Sequence, residues 1–113
     1  MRIEIRGRNT AVTDTVRRHV EERFRTVEKQ VSELARLEVE LREERNPAIA
    51  NAKIAEANLY LKGATLRARE GSADLMHSVD LVAEKLARQV KRHREKRRGR
   101  RDSSRTRPSE AAG

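Results

Sequence analysis

Residues 35–44 read ARLEVELREE, and this stretch decides the fold class. Its aliphatic residues Leu37, Val39 and Leu41 alternate with other, mostly charged residues, which is the period of two that a half-exposed β-strand shows. An amphipathic helix would instead repeat its apolar residues every three or four positions. Because segments with that helical spacing lie on both sides of this stretch, the chain is predicted to combine strands with helices.

The segment before this strand has the spacing of a helix. Its apolar residues recur at steps of four, four, three and four: Val16, Val20, Phe24, Val27 and Val31. Thr13 or Asp14 can cap the first amide groups of that helix. Further upstream, residues 2–8 alternate again, with Ile3 and Ile5 on one face, so a short strand is predicted to precede the helix.

The segment after the central strand is predicted to be a break followed by a hairpin. Pro47 interrupts residues 46–51, because proline cannot donate a hydrogen bond to a neighbouring strand. Residues 55–61 and 64–70 then alternate on either side of Lys62–Gly63, which is the spacing of a tight β-hairpin.

The last predicted element is a helix that continues beyond its apolar face. It begins after Gly71, with Ser72 or Asp74 at its start, whereas residues 91–98 hold no aliphatic or aromatic residue. The predicted inward face consists of Leu75, Val79, Val82, Leu86 and Val90. The element order is therefore β-α-β-β-β-α. We predict an α+β two-layer sandwich in which two helices pack on one face of a four-stranded sheet, like a double-stranded-RNA-binding domain.

The length of the chain bounds its organisation. At 113 residues it has room for one core, and we place that α+β domain at residues 1–98. Residues 99–113 are polar, basic and without periodicity, so they are predicted to be a disordered tail or linker.

Composition argues against several classes of function. The chain has no cysteine, no stretch that suits a signal peptide and no run of 18 apolar residues, so we expect a cytoplasmic protein without a membrane partner. The three histidines, His19, His77 and His93, lack the spacing of metal ligands and are interpreted as surface residues. We therefore predict no catalytic residue, no metal, no cofactor and no small-molecule substrate.

The net charge of +9 is concentrated at one end of the chain. The first 84 residues hold 15 basic and 15 acidic residues, whereas the remaining 29 hold 12 basic and 3 acidic residues. On the last helix the basic residues fall in two rows, Lys85, Arg88, Arg92 and Lys96 in one, Lys91, Arg94 and Arg98 in the other. This one-sided charge indicates a polyanionic partner. With two aromatic residues in the chain, contacts with phosphates are expected to dominate over base stacking.

Two stretches carry a resemblance to a known family. GRN at residues 7–9 with VTDTVRRHVEERFRTVEK at 12–29 resembles the first strand and helix of the ribosome hibernation-promoting factors, also called ribosome-associated translation inhibitors or protein Y. LRAREGSADLMHSVDLVAEKLARQVKRHREK at residues 66–96 is similar to the closing strand and second helix of that family, including its Lys-Leu-x-x-Gln motif at 85–89. The resemblance covers nearly all of residues 1–98.

The resemblance implies a function without catalysis. Such a domain would bind the small ribosomal subunit and its 16S rRNA in the assembled ribosome near the decoding centre, block the sites of transfer RNA and messenger RNA, and inhibit translation in bacterial stress or stationary phase. By match, the family's RNA-facing positions correspond to Lys29, Lys85, Arg88, Lys91 and Arg92, and the basic rows add Arg94 and Lys96. We expect a monomer, with dimerisation only through a further C-terminal domain.

Two other hypotheses stay open at this point. The first is a general double-stranded-RNA or nucleic-acid-binding module without a fixed ribosomal site. The second is an interaction domain whose basic tail binds an acidic protein. Competition distinguishes them, because a ribosome-specific protein should stay on ribosomes in excess bulk RNA, whereas a general binder should redistribute.

Overall fold

The computed structural model describes the backbone of residues 1–44 and 52–112 and the side chains of residues 1–44 and 52–96. It contains a four-stranded sheet in the order β1-β2-β3-β4. The strands are β1 (Arg2–Arg8), β2 (Arg36–Glu43), β3 (Lys53–Leu61) and β4 (Ala64–Ser72). β1 runs parallel to β2, whereas the other two neighbouring pairs are antiparallel. The break predicted at residues 46–51 lies outside the described residues.

Three helical segments accompany the sheet: α1 (Asp14–Arg23), α2 (Arg25–Gln30) and α3 (Leu75–Ala112). The first predicted helix is thus two segments that meet at Phe24, where φ is −88° and ψ is 5°. Hydrogen bonds continue through this junction, since Phe24 N donates to Val20 O and Glu28 N donates to Phe24 O, both at 3.0 Å. With this subdivision, the predicted α+β architecture is confirmed.

Local sequence signals explain where the elements begin and turn. Thr13 Oγ1 accepts a hydrogen bond from the backbone N–H of Val16 at 3.2 Å, which caps α1. Between β3 and β4, the turn consists of Lys62 and Gly63 alone. Gly63 has a φ of +79°, a conformation that glycine adopts without a steric penalty. The predicted hairpin is therefore confirmed.

The core lies between the helices and one face of the sheet. The alternating residues Leu37, Val39 and Leu41 of β2 are buried there, as predicted from their period of two. The helices contribute the buried residues Val16, Val20, Phe24, Val27, Val79, Val82, Ala83, Leu86 and Val90. This one cluster joins the helices to one face of the sheet. The opposite face of the sheet carries mainly charged side chains.

The connections set the direction of the helices. α1 and α2 link the parallel strands β1 and β2, and α3 follows β4, which is parallel to them. Both helical layers therefore run antiparallel to those strands and in the same direction as each other. Arg23 of α1 and Thr26 of α2 accordingly border one groove together with the part of α3 between His77 and Arg88.

α3 is longer than the sequence pattern predicts. Its backbone stays helical to Ala112, beyond the predicted domain boundary at residue 98. A single glycine costs a helix about 1 kcal/mol, so Gly99 alone does not end it. The division into a domain at 1–98 and a disordered tail at 99–113 stays a prediction. Within the described residues, no helix has both the length and the apolar composition needed to cross a bilayer.

Candidate RNA-binding surface

α3 changes character at Val90. Before this residue its inward side chains are buried in the core, and after it every side chain described is exposed except the half-buried His93. The exposed cations on this helix are Arg88, Lys91, Arg92, Arg94 and Lys96, which we call the basic surface of α3. Helical geometry sets their spacing, with residues four apart separated by about 6 Å along the axis.

The basic residues do not all border the same part of the molecule. Arg88 lines a groove between α3 and the α1–α2 layer, together with Arg23. Arg92 and Lys96 line a different groove, toward Leu66 of β4. The side chains of the predicted row from Lys85 to Lys96 therefore do not all face the same neighbouring element. The side chain of Arg98, in the second predicted row, lies outside the described residues.

The two remaining predicted site residues have different surroundings. Lys29 is exposed near the C-terminal end of α2 and forms no ion pair within residues 1–44 and 52–96. Lys85 is 45% exposed, and its Nζ atom lies 3.5 Å from Oε1 of Glu70 on β4. A phosphate that approaches Lys85 must therefore share it with, or take it from, this carboxylate.

The ion pairs among the described side chains lie on the sheet, between α1 and α3, and between Lys85 and Glu70, and none of them involves the basic surface of α3. On the outer face of the sheet, Arg8 and Arg42 both contact Glu40, at 3.9 and 3.7 Å. By contrast, none of the five cations of the basic surface forms an ion pair with any residue whose side chain is described. Their positive charges are therefore available to an anionic partner.

A contact between α1 and α3 corrects the interpretation of the histidines. Nε2 of His19 lies 2.7 Å from Oδ1 of Asp80, and Nε of Arg23 lies 2.8 Å from the same oxygen. His19 is 22% exposed because the two helices lie against each other, and of the three histidines it is His77 that is fully on the surface, as predicted. No signal in the sequence links His19 to Asp80, since 61 positions separate them.

The comparison with known proteins starts from the family model described as Sigma 54 modulation protein / S30EA ribosomal protein, which matches residues 3–98. The chain belongs to this family. It is 34% identical over 111 residues to a protein of a Picosynechococcus strain and 35% identical over 96 residues to one of Staphylococcus aureus, both named "Ribosome hibernation promotion factor". These alignments cover 97% and 83% of the chain but 58% and 48% of the relatives. The chain thus spans about half the length of the curated relatives it matches.

Solved structures share the fold. The "ribosomal subunit interface protein" of Coxiella burnetii superposes with a TM-score of 0.71 at 22% identity, over 84% of this chain and 99% of that one. The N-terminal domain of Protein Y from Thermus thermophilus gives a TM-score of 0.70 at 29% identity, over 82% of this chain and 99% of that one. The four-stranded sheet with helices on one face is therefore an architecture that these proteins have in common.

In this S30EA family member, the groove between β4 and α3 gives Gln89 and His93 surroundings that the sequence did not predict. Nε2 of Gln89 donates a hydrogen bond to the backbone oxygen of Arg67 at 2.7 Å. Nε2 of His93 is buried and has no hydrogen-bond partner among the described residues. The burial of this nitrogen could not be predicted from the apolar spacing, because His93 follows Val90, the last apolar residue of the predicted inward face.

Proposed function

We propose that this chain is the ribosome-binding part of a hibernation factor. It binds the small ribosomal subunit within the assembled ribosome, near the decoding centre, through contacts between its basic residues and 16S rRNA. There it excludes transfer RNA and messenger RNA and so inhibits translation during stress or stationary phase. The effect requires occupancy alone, and no reaction is catalysed.

The structural observation that carries the proposal is that the basic surface of α3 places five exposed cations on one helix and that none of them forms an ion pair within the described part of the chain. Exposed cations along a helix favour phosphates, because each bound phosphate releases condensed counterions from the nucleic acid. The family and the names of its members point to the ribosome as the source of those phosphates.

Lys29 is the one proposed contact that lies outside α3. It is exposed near the C-terminal end of α2, a helix that contacts α3. An RNA backbone bound to the basic surface of α3 would need to extend toward α2 to include this cation. We assign Lys29 and Lys85 to the margins of the site, and Arg88, Lys91, Arg92, Arg94 and Lys96 to its centre.

Competition on purified ribosomes tests the proposal. The chain is incubated with small subunits, large subunits and assembled ribosomes, with or without an excess of bulk double-stranded RNA, and binding is measured by co-sedimentation. We expect binding to small subunits and assembled ribosomes to persist in the excess RNA. Redistribution to the bulk RNA would instead identify a general nucleic-acid-binding module.

A second arm tests the mechanism. If the chain occupies the path of transfer RNA, initiator transfer RNA and the chain should exclude each other on the small subunit. Assembling initiation complexes first should then protect translation from inhibition. A ternary complex in which both bind with undiminished affinity would contradict the blocking mechanism while leaving ribosome binding intact.

A further inference from the structure

The outer edge of β1 presents backbone groups that the described part of the chain leaves unpaired. β1 is the first strand of the sheet and pairs with β2 on one side alone. The N–H of Arg2 donates to the backbone oxygen of Ala35 at 2.9 Å, so Arg2 and every second residue after it direct their backbone groups toward β2. Ile3, Ile5 and Gly7 therefore direct their N–H and C=O groups outward, where a further strand can pair with them.

A groove of about 300 Å³ opens along this edge. It is lined by Met1, Ile3 and Ile5 together with charged side chains of both signs from α1 and α2. No proline interrupts β1, and no described element covers its outer edge, so the strand lacks two of the features that keep sheet edges from pairing. Its charged side chains remain, and they determine which strand can pair with it.

We propose that the edge of β1 pairs with β1 of a second copy of this chain, in antiparallel orientation and centred on Ile5. In this register Ile5 lies opposite Ile5 of the other copy and Ile3 lies opposite Gly7, so the outward backbone groups of all three residues meet a partner. The half-buried side chains of Ile5 from both copies lie beside each other on the face that carries the helices. The pairing is symmetric about a two-fold axis, and the two four-stranded sheets become one continuous sheet.

Charges on the outer face of the sheet select this register. Glu4 lies opposite Arg6 of the other copy, in a pair without backbone hydrogen bonds, where side chains come closest. Arg6 forms no ion pair within the described part of its own chain. The two neighbouring registers with the same hydrogen-bonding pattern place either Glu4 opposite Glu4 or Arg6 opposite Arg6, so like charges disfavour both.

The ends of the paired strands bring two arginines together. Arg2 lies opposite Arg8 of the other copy, which alone would oppose pairing. Each of them has a carboxylate of its own chain nearby, however, and this offsets the repulsion. Oε1 of Glu4 lies 3.7 Å from Nε of Arg2, and Oε1 of Glu40 lies 3.9 Å from Nη1 of Arg8.

The dimer leaves the basic surface of α3 free. α3 contacts β3 and β4, at the opposite side of the sheet from β1. The inference therefore does not depend on the proposed function, and ribosome binding can fail or succeed without deciding it. It differs from the monomer expected from the sequence, because this contact needs no further domain.

Two charge reversals and their mixture test the register. Self-association of the full chain is measured by sedimentation equilibrium from micromolar to millimolar concentration, where the mass of the wild type should rise toward twice that of one chain. Glu4→Arg and Arg6→Glu each place like charges opposite each other, so each should weaken self-association by about tenfold or more. An equimolar mixture of the two variants should recover it, because two arginines of one copy then face two glutamates of the other.

Matched controls make the same changes of charge on the same face of the sheet. Glu56→Arg on β3 and Arg69→Glu on β4 should associate like the wild type, and thermal unfolding of dilute samples checks that every variant is folded. A wild type that keeps the mass of one chain at every concentration would overturn the proposal. So would a mixture that associates no more than its components, or a loss of association with Arg69→Glu, which would place the contact at β4.

Amide hydrogen exchange of the wild type tests which backbone groups pair. Protection of the amides of Ile3, Ile5 and Gly7 should increase with protein concentration, because their N–H groups are free in the single chain. The amides of Glu4 and Arg6, which are directed toward β2, should be protected at every concentration. Exchange of Ile3, Ile5 and Gly7 that does not change with concentration would contradict pairing at this edge.

Discussion

Neutralising two arginines on α3 gives the most direct test of the binding surface. Arg88 and Arg92 lie one turn apart on the helix and border different grooves, and neither forms an ion pair within the described part of the chain. Both point away from the core, so the double variant Arg88→Gln/Arg92→Gln should change the free energy of unfolding by less than about 0.5 kcal/mol. Any loss of ribosome binding then reports contact and not misfolding.

The size of the effect follows from counting phosphate contacts. For a protein on RNA, the slope of log K against log salt changes by about 0.7 to 0.9 for each phosphate contact. If each arginine binds one phosphate, the double variant loses about 1.4 to 1.8 from this slope. Over a fourfold increase in salt, the wild type should therefore lose roughly tenfold more affinity than the variant.

A matched variant on the other face controls for net charge. Arg67→Gln/Arg69→Gln removes the same two charges from exposed side chains on the outer face of β4, which also lack ion pairs within the described residues. Binding to assembled ribosomes is measured for both variants by co-sedimentation across the salt series, beside thermal unfolding. We expect the control to keep nearly the wild-type slope. An equal drop in both variants would mean that net charge, and not the basic surface of α3, determines binding.

Three other outcomes are expected. Glu70→Gln removes the carboxylate 3.5 Å from Nζ of Lys85, so it should tighten ribosome binding and steepen its salt dependence by up to one contact; weaker binding would contradict this role of Glu70. Ser78 is fully buried and donates to the backbone oxygen of Lys53 at 2.6 Å, so Ser78→Ala should lower the free energy of unfolding by about 1 to 3 kcal/mol in urea denaturation, and a change near zero would show that the bond contributes little. In the free chain, amide hydrogens of α3 after Val90 should exchange faster than those before it and become protected on ribosomes, since that segment lacks apolar support; strong protection in the free chain would contradict this.

The elements of the fold could be predicted because their signals are local. The alternation of Leu37, Val39 and Leu41 and the turn at Gly63 depend on neighbouring residues alone, and the structure confirms the strand and the hairpin. The end of the buried face of α3 at Val90 could also be predicted, because burial against a sheet requires apolar residues at helical spacing. The excess of positive charge after Val90 can be counted from the sequence alone.

Features that join distant parts of the chain could not be predicted in this way. Ser78 is a polar residue that periodicity places beside the apolar stripe, but only packing brings its hydroxyl to Ser72 and Lys53. The junction of α1 and α2 at Phe24 likewise has no helix-breaking residue to announce it. The hydrogen bonds of Ser78 depend on which elements pack together, and the spacing of residues within one element does not determine that packing.

The amino-acid sequence by itself determined the order of the elements, their inward faces and the location of the excess positive charge, since each is a property of residues close together along the chain. The tertiary structure decided which of those charges stay unpaired. Lys85 lies beside Glu70 across the α3–β4 contact, whereas Arg92 and Lys96 form no ion pair with a carboxylate among the described residues. Electrostatic availability depends on distances between side chains, and the packing of α3 on β4 sets those distances.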